Sequence, residues 1–356
     1  MCIRDSSGAD CTEVSFAEVA HTITSIDIHF FPPGALSYVA NHCPKLQELS
    51  ISISERDGHL PPDFLNGLSD VARECKELRG LNVLTLHVTK LKSSTVSFWE
   101  AISRMSHLTH LGMPYCFLLP PIPDDDQSSD IEEPAPKRRH VDTKAIEDTR
   151  RAIKLLRNVK AIQLLGVTGF LKDCTLCCHY SGLQFSRTVC ETLSVFESLQ
   201  YVYFEKVRTV DFACLLTNCK NVRVLTFHEI RVSLPKETSS LVNVQQLHLC
   251  VGYDTVFTEF IDTLASATNL THLSIGSPPE GLYSAESVYS LIQKIPSLVF
   301  LQIAYSASYS RSFVREIQRK VTIFLKSIKR SYLEFHCGQY SVPLDDSDID
   351  SIWYNY

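Results

Sequence analysis

Apolar residues recur along the chain in a short phrase, apolar-x-x-apolar-x-apolar, whose last four positions alternate as a half-buried strand would. VQQLHL (244–249) is one copy: Val244, Leu247 and Leu249 are apolar, Gln245, Gln246 and His248 polar. The phrase returns as ITSIDI (23–28), LQELSI (46–51), LNVLTL (81–86), LTHLGM (108–113), VKAIQL (159–164), LQYVYF (199–204), VRVLTF (222–227), LTHLSI (270–275) and LVFLQI (298–303). A shortened YLEF keeps Leu333 and Phe335 in phase, which makes eleven copies. With the first apolar residue as position one, position four falls on Ile26, Leu49, Leu84, Leu111, Ile162, Val202, Leu225, Leu247, Leu273, Leu301 and Leu333.

Between the copies the period changes to that of a helix. Val96, Trp99, Ile102 and Met105 mark one face over 93–106, and segments 255–267, 284–295 and 310–328 behave alike. Ser284 and Ser310 are the expected N-caps. Each unit therefore reads as strand, turn, helix, turn. Such a unit cannot bury its apolar face alone, so units must stack. The expected fold is α/β: a solenoid (horseshoe) over residues 20–340, with a parallel concave sheet and convex helices. An ordinary α/β domain with parallel strands is the alternative.

This pattern resembles the leucine-rich repeat superfamily. The long, irregular units look like those of fungal F-box/leucine-rich-repeat proteins. The Asn or Cys usual three residues beyond the last apolar position is met only by Cys116. Segment 60–78 superficially resembles an F-box opening, but it lies between two strands and reads as an outer helix. The resemblance implies a protein-interaction scaffold, the substrate-recognition part of an SCF-type ubiquitin ligase, with ligase subunits recruited through an F-box missing from this chain. A leucine-rich adaptor or inhibitor outside ubiquitination is the other reading.

In a strand, alternate side chains point to opposite faces. Positions four and six face the core, so positions three, five and seven line the concave side. Seven of the 13 histidines fall there: His29, His87, His110, His228, His248, His272 and His336. Tyr201, Tyr203 and Phe300 add rings. Rigid rings on a sheet offer contact area at little rotamer cost. His87, His110, Tyr201, Tyr203, His228, His248, His272 and Phe300 are the candidate partner-binding residues. His228, His248 and His272, on consecutive strands, are expected to repel one another once protonated and to weaken binding below about pH 6.5. The bland alternative is that histidine is merely tolerated at exposed strand positions.

Composition narrows the function. The net charge of −6 and a pI near 6.1 argue against nucleic-acid binding, which usually needs a basic face. No run of 18 apolar residues suggests a membrane span, and no secretory leader is visible, so the expected setting is the cytoplasm, with a route to the nucleus. MCIRDS, residues 1–6, resembles a translated sequencing adapter and is left out of the fold; the chain's own start is expected to be missing. The 13 cysteines are odd in number and scattered among apolar positions, as buried free thiols would be. No catalytic motif is present, no cofactor is expected, and the chain reads as a non-enzyme.

Three segments break the pattern. Residues 120–142 are rich in Pro, Asp, Glu and Ser and read as a disordered acidic and basic insertion. Within it Ser129, beside Asp130 and Glu132, fits an acidophilic phosphorylation site. Lys137, Arg138 and Arg139 form a short nuclear-localisation-type cluster; a solvated charged loop is the alternative for both. Cys174, Cys177, Cys178 and His179 supply only one half of a tetrahedral zinc site, so no metal is expected. Residues 345–356, DDSDIDSIWYNY, form an acidic and then aromatic tail that either caps the last repeat through Trp353 or dangles.

Overall fold

The computed structural model describes residues 20–28, 33–54, 62–87, 95–118, 143–165, 182–205, 207, 209–233, 242–251, 262, 264–276, 278, 282–306, 309–330 and 332–340. Two compact units divide at Val222 and Arg223.

In the first unit six strands lie parallel in chain order: β1 (Ser25–Ile28), β2 (Glu48–Ser54), β3 (Gly80–His87), β4 (His110–Pro114), β5 (Ala161–Leu165) and β6 (Tyr201–Glu205). Helices α1 (Ala35–His42), α2 (Pro62–Glu74), α3 (Thr95–Ile102), α4 (Thr143–Lys154) and α5 (Gly182–Leu193) alternate with them. A short strand β7 (Thr209–Asp211) leads into α6 (Phe212–Asn218). The second unit holds five strands, again parallel and in order: β8 (Val224–Ser233), β9 (Gln246–Val251), β10 (His272–Gly276), β11 (Phe300–Ser306) and β12 (Glu334–Tyr340). Its longer helices are α7 (Ala285–Lys294) and α8 (Arg311–Ser327). Each unit is therefore α/β, with strands parallel and in chain order alternating with helices, as the repeat predicts.

Register follows the repeat. Ile26, Leu49, Leu81, Leu111, Ile162 and Val202 sit opposite one another along the first unit. Leu225, Leu247, Leu273, Leu301 and Phe335 do so in the second. All are buried. Each buried aliphatic or Phe side chain contributes about 1.5–3 kcal/mol, and a one-residue slip would turn the whole row to solvent.

Two rows correct the sequence reading. Leu81, not Leu84, faces Leu49, so the third copy is LRGLNV (78–83), three residues earlier than expected. Val83 is buried and Leu84 half-buried on the open side. Both frames satisfy the phrase; the end of α2 at Glu74 selects the earlier one. At the last copy Phe335, not Leu333, faces Leu301. One residue is absent there, so Leu333 makes the entry turn to Arg330 and is buried in place of position one.

Rung entry is built from backbone. An apolar residue three before position one accepts from the position-one N–H, as in Cys43 from Leu46, Cys75 from Leu78, Met105 from Leu108, Phe196 from Leu199 and Ile295 from Leu298. The position-two carbonyl then accepts two N–H groups of the next rung: Gln47 from Arg79 and Gly80, Thr109 from Lys160 and Ala161, Thr271 from Val299 and Phe300. Asn158, Asn221 and Asn269 each donate a side-chain N–H to a carbonyl of the preceding turn. These bonds satisfy backbone that would otherwise be buried without partners.

Helices α7 and α8 match their signals, while the helix expected over 255–267 lies largely outside the described residues. Ser284 caps α7 by accepting from Ser287 N–H at 3.1 Å, and Ser310 caps α8 from Phe313 N–H at 3.2 Å. Segment 60–78 holds α2, an outer helix as expected. A Cβ on Gly67 of α2 would lie 2.5 Å from Leu36 Cβ of α1, so glycine allows that close approach. Arg330 is 7% exposed and donates to the carbonyls of Ile292, Ile295, Pro296 and Leu298. Its cation thus sits at the C-terminal end of α7, where the helix dipole favours it.

The eight described cysteines are free thiols. Burial pushes Cys43 and Cys75 up to about 11 and Cys219 up to about 12, so these thiols stay protonated and inert. No helix among the described residues is long and apolar enough to cross a membrane. Residues 1–6, the 120–142 insertion with Ser129, Lys137, Arg138 and Arg139, the Cys174–His179 cluster, His29 and the 345–356 tail lie outside the described residues.

Candidate binding face

The open face is what remains once positions one, four and six are buried. In the first unit it carries Ser25, Asp27, Glu48, Ser50, Asn82, Leu84, His110, Gln163, Leu165, Tyr201 and Glu205, all exposed or half-buried. In the second it carries Val224, Thr226, His228, Gln246, His248, Cys250, His272, Ser274, Phe300, Gln302, Glu334 and His336. Four of these are carboxylates: Asp27, Glu48 and Glu205 on one unit, Glu334 on the other. Lysine and arginine are absent from both sets, and the second unit's set is rich in rings.

Of the eight expected contact residues, His110, Tyr201, His228, His248, His272 and Phe300 occupy face positions and are half-buried. Tyr203 is buried rather than presented on the face. It is 5% exposed, flanked on its strand by Tyr201 and Glu205 and opposite Gln163, with its hydroxyl 3.5 Å from a Glu205 carboxylate oxygen. His87 closes β3 opposite Ser54, past a register break, and its side chain lies outside the described residues. The frame shift replaces the expected row Val83, Thr85 and His87 with Gly80, Asn82 and Leu84. At the last strand the row is Glu334, His336 and Gly338; Tyr332 precedes the strand and packs under the Arg330 guanidinium.

His228, His248 and His272 do not sit side by side. His228 lies opposite Cys250, and His248 opposite Thr226 and Ser274. The three rings step diagonally across β8, β9 and β10. Burial, then the neighbouring His272, holds His248 down to about 4. The expected mutual charging near pH 6.5 therefore fails for this ring. Burial, then Lys160, also lowers His110.

The two LTHL copies share a device. Thr271 Oγ1 donates to the Gln245 carbonyl at 3.1 Å and lies 2.9 Å from His272 Nδ1. Thr109 does the same with the Arg79 carbonyl at 3.1 Å and His110 Nδ1 at 2.8 Å. A hydroxyl has one proton, so the ring Nδ1–H must donate to it. The histidine cannot then draw that proton as a general base, so neither pair is an activated nucleophile. The signal for this pair was present in the sequence as the repeated dipeptide Thr-His.

The second unit also carries an aromatic row. His272 stacks on Phe300 at 5.8 Å between centroids, and Phe300 meets His336 at 5.5 Å. His336 Nε2 bonds Glu334 at 2.6 Å. Rings ending on a carboxylate suit a flat cation such as guanidinium, which stacks and pairs at once. Among the described residues no group of three or more His, Cys, Asp or Glu side chains could hold a metal ion.

No family model matches the chain, and no curated protein matches it in sequence. Solved structures resemble it at low identity. The TLR13 chain of a TLR13–ssRNA13 complex is 12% identical with a TM-score of 0.39, covering 83% of this chain and 38% of its own. Internalin C2 from Listeria monocytogenes is 12% identical with a TM-score of 0.35, covering 75% and 83%. Internalin InlF from the same organism is 13% identical with a TM-score of 0.36, covering 92% and 86%. The chain spans well under half the length of the TLR13 chain it matches.

Proposed function

We propose that the chain is a non-catalytic protein-interaction scaffold whose open sheet face holds a protein partner. The observation that carries this is the composition of the second unit's face: rings packed from His272 through Phe300 to His336, the Glu334 carboxylate beside them, and no lysine or arginine at the positions described above. Phosphate backbones would find no cation there, which disfavours nucleic acid. A protein segment presenting arginine beside apolar groups would find stacking surface and the Glu334 carboxylate together. Within this reading the chain serves as the substrate-recognition part of an SCF-type ubiquitin ligase, an assignment that rests on the resemblance of its long, irregular repeats. Ser129 and the Lys137–Arg139 cluster are proposed as a phosphorylation site and a nuclear-entry signal.

The test compares affinity capture by the full chain, a His272→Ala/Phe300→Ala/His336→Ala variant and an outer-helix control, Lys294→Ala. Partners held by the wild type and the control are expected to be lost on the face variant, while its unfolding midpoint stays in place. Equal partner sets for all three would end the proposal. Recovery of partners without any ubiquitin-ligase subunit would remove the ligase assignment and leave the scaffold.

A further inference from the structure

The entry edge of the first unit, where the chain turns from helix to strand, is lined by cations. Lys45, Lys76, Arg79, Arg104, Arg157 and Lys160 stand in the turns before β2, β3, β4 and β5, and all six are exposed. Backbone bonds fix their order. The Gln47 carbonyl accepts from the Arg79 N–H, the Arg79 carbonyl from that of Thr109 and the Thr109 carbonyl from that of Lys160. Neighbouring strands lie about 4.8 Å apart, so Arg79 and Lys160, two rungs apart, are separated by about 10 Å along the edge. Asn158 Nδ2 donates to the Ser106 carbonyl at 2.7 Å, which holds the turn of Arg157 against the turn of Arg104. Lys160 also lowers the proton affinity of His110, after burial, so the strip borders the open face.

Pairing sets these cations apart. Arg73, Arg150, Arg151 and Arg187, on the outer helices of the same unit, each meet a carboxylate. Among the described residues none of the six edge cations does. Glu74 is taken up by Arg73, and Glu77 accepts from Gln47 Nε2 at 3.5 Å. One exposed cation without a partner is ordinary. Six over four consecutive rungs make a positive strip on a chain whose net charge is −6.

We propose that this edge docks a short acidic segment of a partner protein, extended across β2 to β5 with its carboxylates on Arg79, Arg104, Arg157 and Lys160. Four rungs span about 14 Å, the reach of four or five extended residues at about 3.3 Å each. Three features favour a peptide over a nucleic acid. The acidic chain as a whole repels a long polyanion. The entry positions 44–47, 76–79, 104–109 and 157–160 hold no Phe, Tyr or Trp on which bases would stack. A phosphodiester strand, charged at every nucleotide, would set a phosphate against Glu77, where a peptide can place a neutral residue.

Fluorescence anisotropy of the full chain with a labelled peptide alternating Glu and Ser tests this. Binding is expected at about 0.1 M salt and should be lost at about 1 M, where screening acts within about 3 Å. Arg79→Glu/Arg104→Glu/Arg157→Glu/Lys160→Glu should weaken it at least about tenfold, the sum of a few surface ion pairs. Arg79→Gln/Lys160→Gln, a gentler change should the reversal fail to fold, should cost about fivefold. Arg311→Glu/Arg315→Glu/Lys320→Glu/Lys326→Glu alters the net charge equally on α8 and should bind as the wild type does. The His272→Ala/Phe300→Ala/His336→Ala variant should also bind the peptide, so failure here leaves the second unit's face untouched. No binding by the wild type, equal loss in both reversal variants, or tighter binding of an oligothymidylate of matched charge, which would assign the edge to nucleic acid, would each overturn the proposal.

Discussion

His248 shows how much one side chain depends on its place in the sheet. Its ring is half-buried at position five of β9, near His272, and burial drives its proton affinity down to about 4 from an ordinary value of 6.5. The sign of the linkage follows. Between those values the unfolded chain binds a proton that the folded chain refuses, so stability is full above about pH 6.5 and falls as the pH drops toward 4. One such proton is worth about 1.4 kcal/mol per pH unit. Urea unfolding at pH 7, 6 and 5 should therefore show a shallower loss of stability in His248→Gln than in the wild type. Parallel curves would mean that the ring is solvated in the folded chain.

At the scale of the element, the strand is a frame chosen from two. LRGLNV and LNVLTL both satisfy the repeat, because Leu78, Leu81 and Leu84 are spaced by three. The helix before them ends at Glu74 and its turn fits only the earlier frame, which buries Leu81 and turns Leu84 toward the open face. Leu81→Ala should cost about 2–5 kcal/mol, the range for a buried leucine left as a cavity. Leu84→Ala should cost about 1 kcal/mol or less, as a partly solvated side chain does. Chemical denaturation of the two variants checks this; the reverse order would restore the later frame.

A stacked array spreads damage only to its neighbours, since each rung contacts the one before and the one after. In the first unit Leu81→Ala should therefore speed amide exchange in β2, β3 and β4 and leave β6 close to wild type. Uniform loss of protection across the unit would show instead that it unfolds as one cooperative block.

Apart from the third and last copies, the strand positions, their parallel order and the helix caps at Ser284 and Ser310 were legible in the sequence, because a period of apolar residues is a local record of which side is dry. The frame of the third copy, the shortened last rung, the burial of Tyr203 and the diagonal of His228, His248 and His272 were not. Each depends on which neighbour lies across the sheet, and an alternating pattern carries the face of a residue but not its opposite number. The neutrality of His248 has the same origin: a lone residue type has one proton affinity, and only the packing around it moves that value.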